Sequence, residues 1–290
     1  MLDSTVPKFD ATTLVAMGRV SSIKPSPCAT WAAVAVGRVG EKGEKYIHDL
    51  WRISMTEPGA APTRLTDGES NDTAPCFRAD GALGFLSNRK TEEEEEEDKP
   101  LQQIWILTAD DAPPYRLTNE PLGVDAFQFA AAADRLVFRC SRLPDVPESE
   151  QRTASQVRGK STTSAHHYRT MPVRFWDRWL GPAIPALYTA DGNGQDAQLL
   201  TPNADLRSLM EGQFQLTRDG RYLATLWKRT GTDRVPDALI RLFDLTTGSS
   251  RLLGDTPRIG HEHIQFSPDG KLLACARHER HDDVLRPVEL

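Results

Sequence analysis

Few positions in this 290-residue chain carry residue types suited to chemistry, and each has a plainer reading beside it. His261 and His263, in HEH, point to one face if the segment is a strand, and two imidazoles at i and i+2 hold a metal when a third ligand converges. No third ligand is identifiable, although His278 and His281 follow nearby, so hydrogen-bonded histidines are expected and no metal is assigned. His166 and His167 stand in a polar stretch with no nucleophile beside them to activate. Arg174, Trp176, Asp177 and Trp179 gather a guanidinium, a carboxylate and two indoles in MPVRFWDRW. They can wall a ligand chamber, or an arginine stacked on an indole with an aspartate partner can simply pin a strand. The run Glu92 to Asp98 is either a solvated, self-repelling loop, as blocks of like charge usually are, or a counter-charge for a cation.

Other chemistries are excluded by motif. A nucleophile elbow needs G-x-S-x-G on a sharp strand-to-helix turn, and GESND, GKSTT and GSSRL all fail it. No catalytic residue is therefore assigned. With neither GxxxxGK[ST] nor GxGxxG, no nucleotide cofactor is indicated, and none of another kind is expected. The formal charge of -6 disfavours a nucleic-acid partner, which needs a concentrated basic face. The start MLDSTVPKFD has no basic-then-apolar leader, and no later run approaches the length of a membrane span. Cys28, Cys76, Cys140 and Cys275 lie far apart without a CxxC pair, which fits thiols packed as small hydrophobes. A soluble cytoplasmic protein, with no membrane partner, is the expectation.

What must position these residues is an internal repeat. A strand, a tight turn, two more strands and a terminal RLT-like strand recur, with the terminal leucines at Leu65, Leu117, Leu200 and Leu252, spaced 52, 83 and 52 residues apart. The first turn of each unit shows the same period: SPCAT at Ser26, RADGA at Arg78, AAAAD at Ala130, TRDGR at Thr217 and SPDGK at Ser267. Alternating strands around Asp-Gly read as hairpins, because the glycine supplies the positive φ that a tight turn needs. In the second unit CFRA is an inner strand, LGFLSNR the next, QQIWILTA the third and PYRLT the outer one.

Four antiparallel strands per period of roughly fifty residues specify an all-β fold, a β-propeller of four-stranded antiparallel blades, since one small sheet cannot bury both faces and must stack on its neighbours. Residues 1–20 are a lead-in, with a short capped helix expected where Leu14, Val15 and Met17 follow Asp10, Thr12 and Thr13. Blades are expected at about 21–66, 67–118, 119–201 and 202–253, with a partial one at 254–290. Residues 144–170 are read as a mobile polar loop between two strands of blade three. About four and a half blades leave the ring unclosed, with sheet edges that propellers remove by closure. The remainder of a longer polypeptide, a separate partner, or a returning N-terminal strand is expected to complete it.

These residues resemble the propeller domain of the prolyl oligopeptidase superfamily, in its acylaminoacyl peptidase and dipeptidyl peptidase 5-like branch. The opening FDATTLVAMGRVSSIKPSPCATWAAVAV, the pair FLSNRK and QQIWIL, and above all MPVRFWDRW carry the likeness. TolB-like binding proteins share the more generic SPDG blades. The resemblance implies a propeller that admits short peptides to an α/β-hydrolase domain, with the Ser, Asp and His triad outside this chain. It also implies substrate-binding roles for Glu92 and Glu93, whose charge would neutralise a peptide's free α-amino group, and for Arg174, Trp176 and Asp177. A stand-alone TolB-like propeller acting as a protein-binding scaffold is the alternative.

Overall fold

The computed structural model describes residues 10–40, 43, 45–91, 100–108, 112–162, 174–175, 178–204, 208–209, 212–230, 236–281 and 284–285. It divides into two compact units. The first opens with helix α1 (Ala11–Ala16), whose N-cap Asp10 accepts the Thr13 N–H at 2.8 Å. Two sheets follow. One is β1 (Arg19–Pro25), β2 (Trp31–Val39), β3 (Tyr46–Ser54) and β4 (Thr63–Arg64). The other is β5 (Thr73–Phe77), β6 (Leu83–Ser87), β7 (Gln103–Leu107) and β8 (Tyr115–Arg116). Each runs antiparallel in sequence order. Every residue of β6 and β7 is buried, as in a strand covered on both faces. Full burial of the Phe85 side chain is worth about 2–3 kcal/mol, and Trp31 meets Phe77 edge to face at 5.1 Å in the same core.

The second unit holds three sheets. Its first begins with β9 (Val124–Phe129) and β10 (Leu136–Arg142). A helix α2 (Gln151–Lys160) and a hairpin of β11 (Arg174–Phe175) and β12 (Arg178–Trp179) intervene before β13 (Ile184–Ala190) and β14 (Gln198–Leu199) complete the sheet. The next is β15 (Phe214–Leu216), β16 (Tyr222–Thr230), β17 (Pro236–Asp244) and β18 (Ser249–Leu253). The last, among the described residues, has three strands: β19 (Ile259–Phe266), β20 (Leu273–His281) and β21 (Val284–Leu285).

The stretch expected to be a loop, 144–170, is in part helical. A 3-10 turn at Glu148–Glu150 runs into α2. Its sequence hides this because α2 is polar nearly all round and shows no apolar stripe. What secures it is one buried polar side chain: Gln151 accepts the Leu143 N–H at 2.7 Å and donates to the carbonyls of Leu143 and Val146, each at 2.8 Å. The strands beneath remain in register from Leu136↔Ala190 to Arg142↔Ile184.

The first turns share one geometry. Ser26, Ala130, Thr217 and Ser267 each donate an N–H to the carbonyl five residues on. Gly220 and Gly270 have φ of 69° and 70°. Each also lies close to the preceding sheet: an added Cβ would meet Ala130 Cβ at 3.2 Å and Thr217 Cγ2 at 3.3 Å, respectively. Asp-Gly therefore serves both the turn and the stacking. In SPCAT, Ala29 stands at the glycine position with φ 55°, and Cys28 takes the aspartate position, its thiol between the Ser26 and Thr30 hydroxyls at 3.3 and 3.1 Å. Those hydroxyls lower its pKa to about 7. A left-handed alanine costs about 1–2 kcal/mol, and glycine loses roughly 0.5–1 kcal/mol through its freer unfolded chain. Ala29→Gly is therefore expected to raise stability by roughly 0.5 kcal/mol, read as a higher urea midpoint at unchanged slope; a lower midpoint would contradict the strain.

Candidate functional site

The candidate residues sit on equivalent connections. The acidic run lies between β6 and β7, the second and third strands of their sheet, and the Arg174 hairpin lies between β10 and β13, the second and third strands of theirs. In an antiparallel sheet that connection leaves from the end opposite the first turn. Arg174 is exposed in β11, opposite Trp179 in the pairing. Glu92, Glu93, Trp176 and Asp177 lie outside the described residues, so of the five only Arg174 has an observed place.

The acidic connection is rooted in a buried charge network that sequence reading missed. Asp72, 0% exposed at its side chain, accepts Arg89 Nη2 at 2.7 Å. Arg89 Nε donates to Ser87 Oγ at 3.1 Å, and the guanidinium lies 5.4 Å from the ring centroids of both Phe85 and Trp105. Burial raises the Asp72 pKa, against the lowering by the Arg89 charge and by the Ser87 and Thr66 hydroxyls. On the neighbouring sheet of the same unit, Asp49, 2% exposed at its side chain, accepts Arg38 Nε at 3.0 Å and Arg64 Nη2 at 2.8 Å. The signal was one aspartate inside β3 and another just before β5, with arginines within reach, which local spacing cannot distinguish from surface charges.

A second group sits at the foot of the α2 insertion. The Cys140 thiol faces Glu120 Oε2 at 3.7 Å, and Arg152 of α2 donates to the Asn119 carbonyl and Oδ1 at 3.3 and 2.8 Å. Burial, then the charge of Glu148, raises the Glu120 pKa. Burial and the Glu120 charge likewise push the Cys140 thiol up. Tyr188, stacked on Phe138 with centroids 5.4 Å apart, has its phenol pushed up by burial, so it stays neutral. This end of the sheet can accept a cation or a hydrogen-bond donor, but it presents no activated nucleophile.

The two histidines of HEH do not share a face. A bulge breaks the β19–β20 register between Glu262 and Gln265, and His263 adopts φ 53° and is exposed. His261 is buried, its Nδ1–H donating to the Ala238 carbonyl at 3.0 Å, with its ring over Gly254 where a Cβ would overlap it. Among the described residues no cluster of three or more His, Cys, Asp or Glu is placed to hold a metal ion, and no helix is long and apolar enough to cross a membrane. No disulfide joins the four cysteines.

No protein-family model matches the chain. It is 25% identical over 282 residues to dipeptidyl-peptidase 5 of Porphyromonas gingivalis, covering 91% of this chain and 38% of the relative. The dipeptidyl-peptidase 5 of Porphyromonas endodontalis is 23% identical over 286 residues, again with 38% of its length covered. The chain thus spans well under half of the curated relatives it matches. Among solved structures, the Pyrococcus horikoshii acylaminoacyl peptidase superposes with TM-score 0.59 at 12% identity, covering 94% of this chain and 37% of that one. TolB from Acinetobacter baumannii gives TM-score 0.51 at 16% identity, covering 92% and 50%. The resemblance read from the opening segment and MPVRFWDRW is borne out: the homologues are dipeptidyl-peptidase 5 proteins, and acylaminoacyl peptidases are among the structural neighbours. The fold is an all-β propeller of antiparallel blades, four of them four-stranded, and among the described residues no sheet closes on itself.

Proposed function

We propose that this chain is the non-catalytic, substrate-gating propeller portion of a prolyl-oligopeptidase-like serine peptidase of the dipeptidyl or acylaminoacyl type, working in the cytoplasm. The observation that carries this reading is a likeness running along 91% of the chain yet confined to 38% of dipeptidyl-peptidase 5, in a sequence without G-x-S-x-G. The triad belongs to an α/β-hydrolase domain outside these residues, and the blades admit short peptides by size. Glu92 and Glu93 supply negative charge for a peptide's ammonium terminus, while Arg174, Trp176 and Asp177 meet its backbone and side chains. The reading is supported by where both groups fall in the chain, between the second and third strands of their sheets, on connections free to vary without disturbing a strand. A stand-alone scaffold of the TolB kind is the rival; it draws on a lower TM-score of 0.51.

The test is to read the coding DNA adjoining that of the chain and to assay the purified chain. Further blades followed by G-x-S-x-G, together with no hydrolysis of dipeptidyl or acylaminoacyl chromogenic substrates by the chain itself, are the expected results. An unrelated neighbouring gene and a cooperative, monomeric chain would hand the case to the scaffold. Labelling of a serine within these residues by a serine-directed phosphonate, with loss of activity, would overturn the non-catalytic reading.

A further inference from the structure

The helix α2 is seated on its sheet by its first turn. Gln151, 1% exposed, binds the Leu143 N–H and the Leu143 and Val146 carbonyls. One residue on, Arg152 Nη2 donates to the carbonyl and Oδ1 of Asn119 at 3.3 and 2.8 Å. From Gln156 to Lys160 every residue of the helix is exposed, so its distal half buries nothing. Whatever disturbs the first turn therefore frees the whole helix.

Beneath that turn lies a carboxyl group. Glu120 follows Asn119 directly, is partly buried, and accepts the Cys140 S–H on Oε2 at 3.7 Å. Among the described residues, the titratable and charged groups that act on it come from three elements: Cys140 of β10, Glu148 of the 3-10 turn and Arg152 of α2. Asp125 of β9 acts on the same thiol, and Arg142 of β10 and Tyr188 of β13 belong to the same cluster. The turn and helix thus bring Glu120 both an anion and a cation. A carboxyl group that is partly desolvated and faces a second carboxylate favours its proton. Burial first, and then the charge of Glu148, raise the Glu120 value above its ordinary 4.5, against the lowering by the Cys140 hydrogen bond and the Arg152 charge.

We infer that Glu120 is the sensor of a pH-dependent latch: α2 is seated on blade three while Glu120 carries its proton, and is loosened when Glu120 ionises beneath Glu148. Lifting the turn and helix takes Glu148 away and opens Glu120 to water, so the seated form binds the proton more tightly than the lifted one. The stabilisation of the seated form is complete below the ordinary 4.5 and is lost as pH rises through the raised value. Seating tightens toward acid, the reverse of what a carboxylate held by a salt bridge produces. The inference concerns the foot of the insertion alone and neither needs nor tests the peptidase reading.

Hydrogen–deuterium exchange of the chain at pH 5 and pH 7.5, corrected for intrinsic rates, reads the opening of α2. Amide protection in α2 is expected to be lower at pH 7.5 by about threefold or more, with protection in β16 of the neighbouring sheet unchanged. Glu120→Gln, which keeps the shape and removes the charge, is expected to retain at pH 7.5 the protection seen at pH 5. Glu148→Gln, at an exposed position, is expected to shrink the pH dependence. Equal protection of α2 at the two pH values would overturn the inference, as would a pH dependence that survives Glu120→Gln. A purely structural role for Glu120 would instead lower α2 protection equally at both pH values in that variant, which also counts against the latch. Should Glu120→Gln lose protection in β16 as well, its fold is damaged and Glu148→Gln decides: an undiminished pH dependence there refutes the latch.

Discussion

Arg89→Ala is expected to destabilise the protein by about 3–5 kcal/mol at neutral pH, the cost of leaving a buried carboxylate without its partner. Asp72 is fully buried at its side chain, and Arg89 is the guanidinium that meets it at 2.7 Å. The loss should depend on pH in a defined direction. Burial already raises the folded-state pKa of Asp72 above its ordinary 3.8, so the folded protein holds this proton more tightly than the unfolded chain. Stability from this group is greatest at low pH and falls as pH rises through the window from 3.8 to the raised value. Removing Arg89 deletes the charge that opposes burial, raises the value further and widens the window. Urea unfolding of Arg89→Ala and the parent at pH 7 and pH 5 should therefore show a smaller gap at pH 5. A gap that is the same at both, or one that survives fully in an Asp72→Asn background, would show that packing against Phe85 and Trp105 is the larger effect.

Gly68→Ala is expected to cost about 3 kcal/mol. Gly68 has φ 81°, where alanine pays about 1–2 kcal/mol, and its open side accommodates two arginines. The Arg64 guanidinium overlaps the place a Cβ would take, and Arg38 Nη2 lies 2.8 Å from it. Arg38 also donates to the Gly68 carbonyl at 2.8 Å. A methyl group there forces Arg64 away from Asp49, adding the loss of a charge-assisted bond, about 1.5–3 kcal/mol. Gly81→Ala is the control, since Gly81 has φ 91° with nothing within 4 Å of an added Cβ; it should lose only the backbone share. Equal losses at the two sites in chemical denaturation would mean that the arginine cradle contributes nothing.

The parts of this molecule legible in its sequence are those governed by local rules. Asp219-Gly220 and Asp269-Gly270 announced hairpins because positive φ beside a hydrogen-bonding aspartate has few other uses, and Asp10 capped α1 as its position required. The helix α2 was hidden because its hold on the sheet comes through Gln151, a polar residue whose burial no periodicity reveals. HEH misled because strand alternation presumes an unbroken register, and the bulge before Gln265 breaks it. Of the candidate site, the connections were legible from composition, whereas the buried Asp72–Arg89 and Asp49–Arg64 pairs were not. Their partners are set by which strands become neighbours, and that information is tertiary.

The pairing of Arg142 with Ile184 has a consequence for how this sheet tolerates change. The two strands meet there whatever lies between them, so segment 143–183 amounts to cargo attached at a single splice point. Closing a connection of that length instead of a tight turn costs only roughly 2 kcal/mol in chain entropy, little enough that lineages or engineers can exchange the insert for a different recognition element without redesigning the blade beneath it.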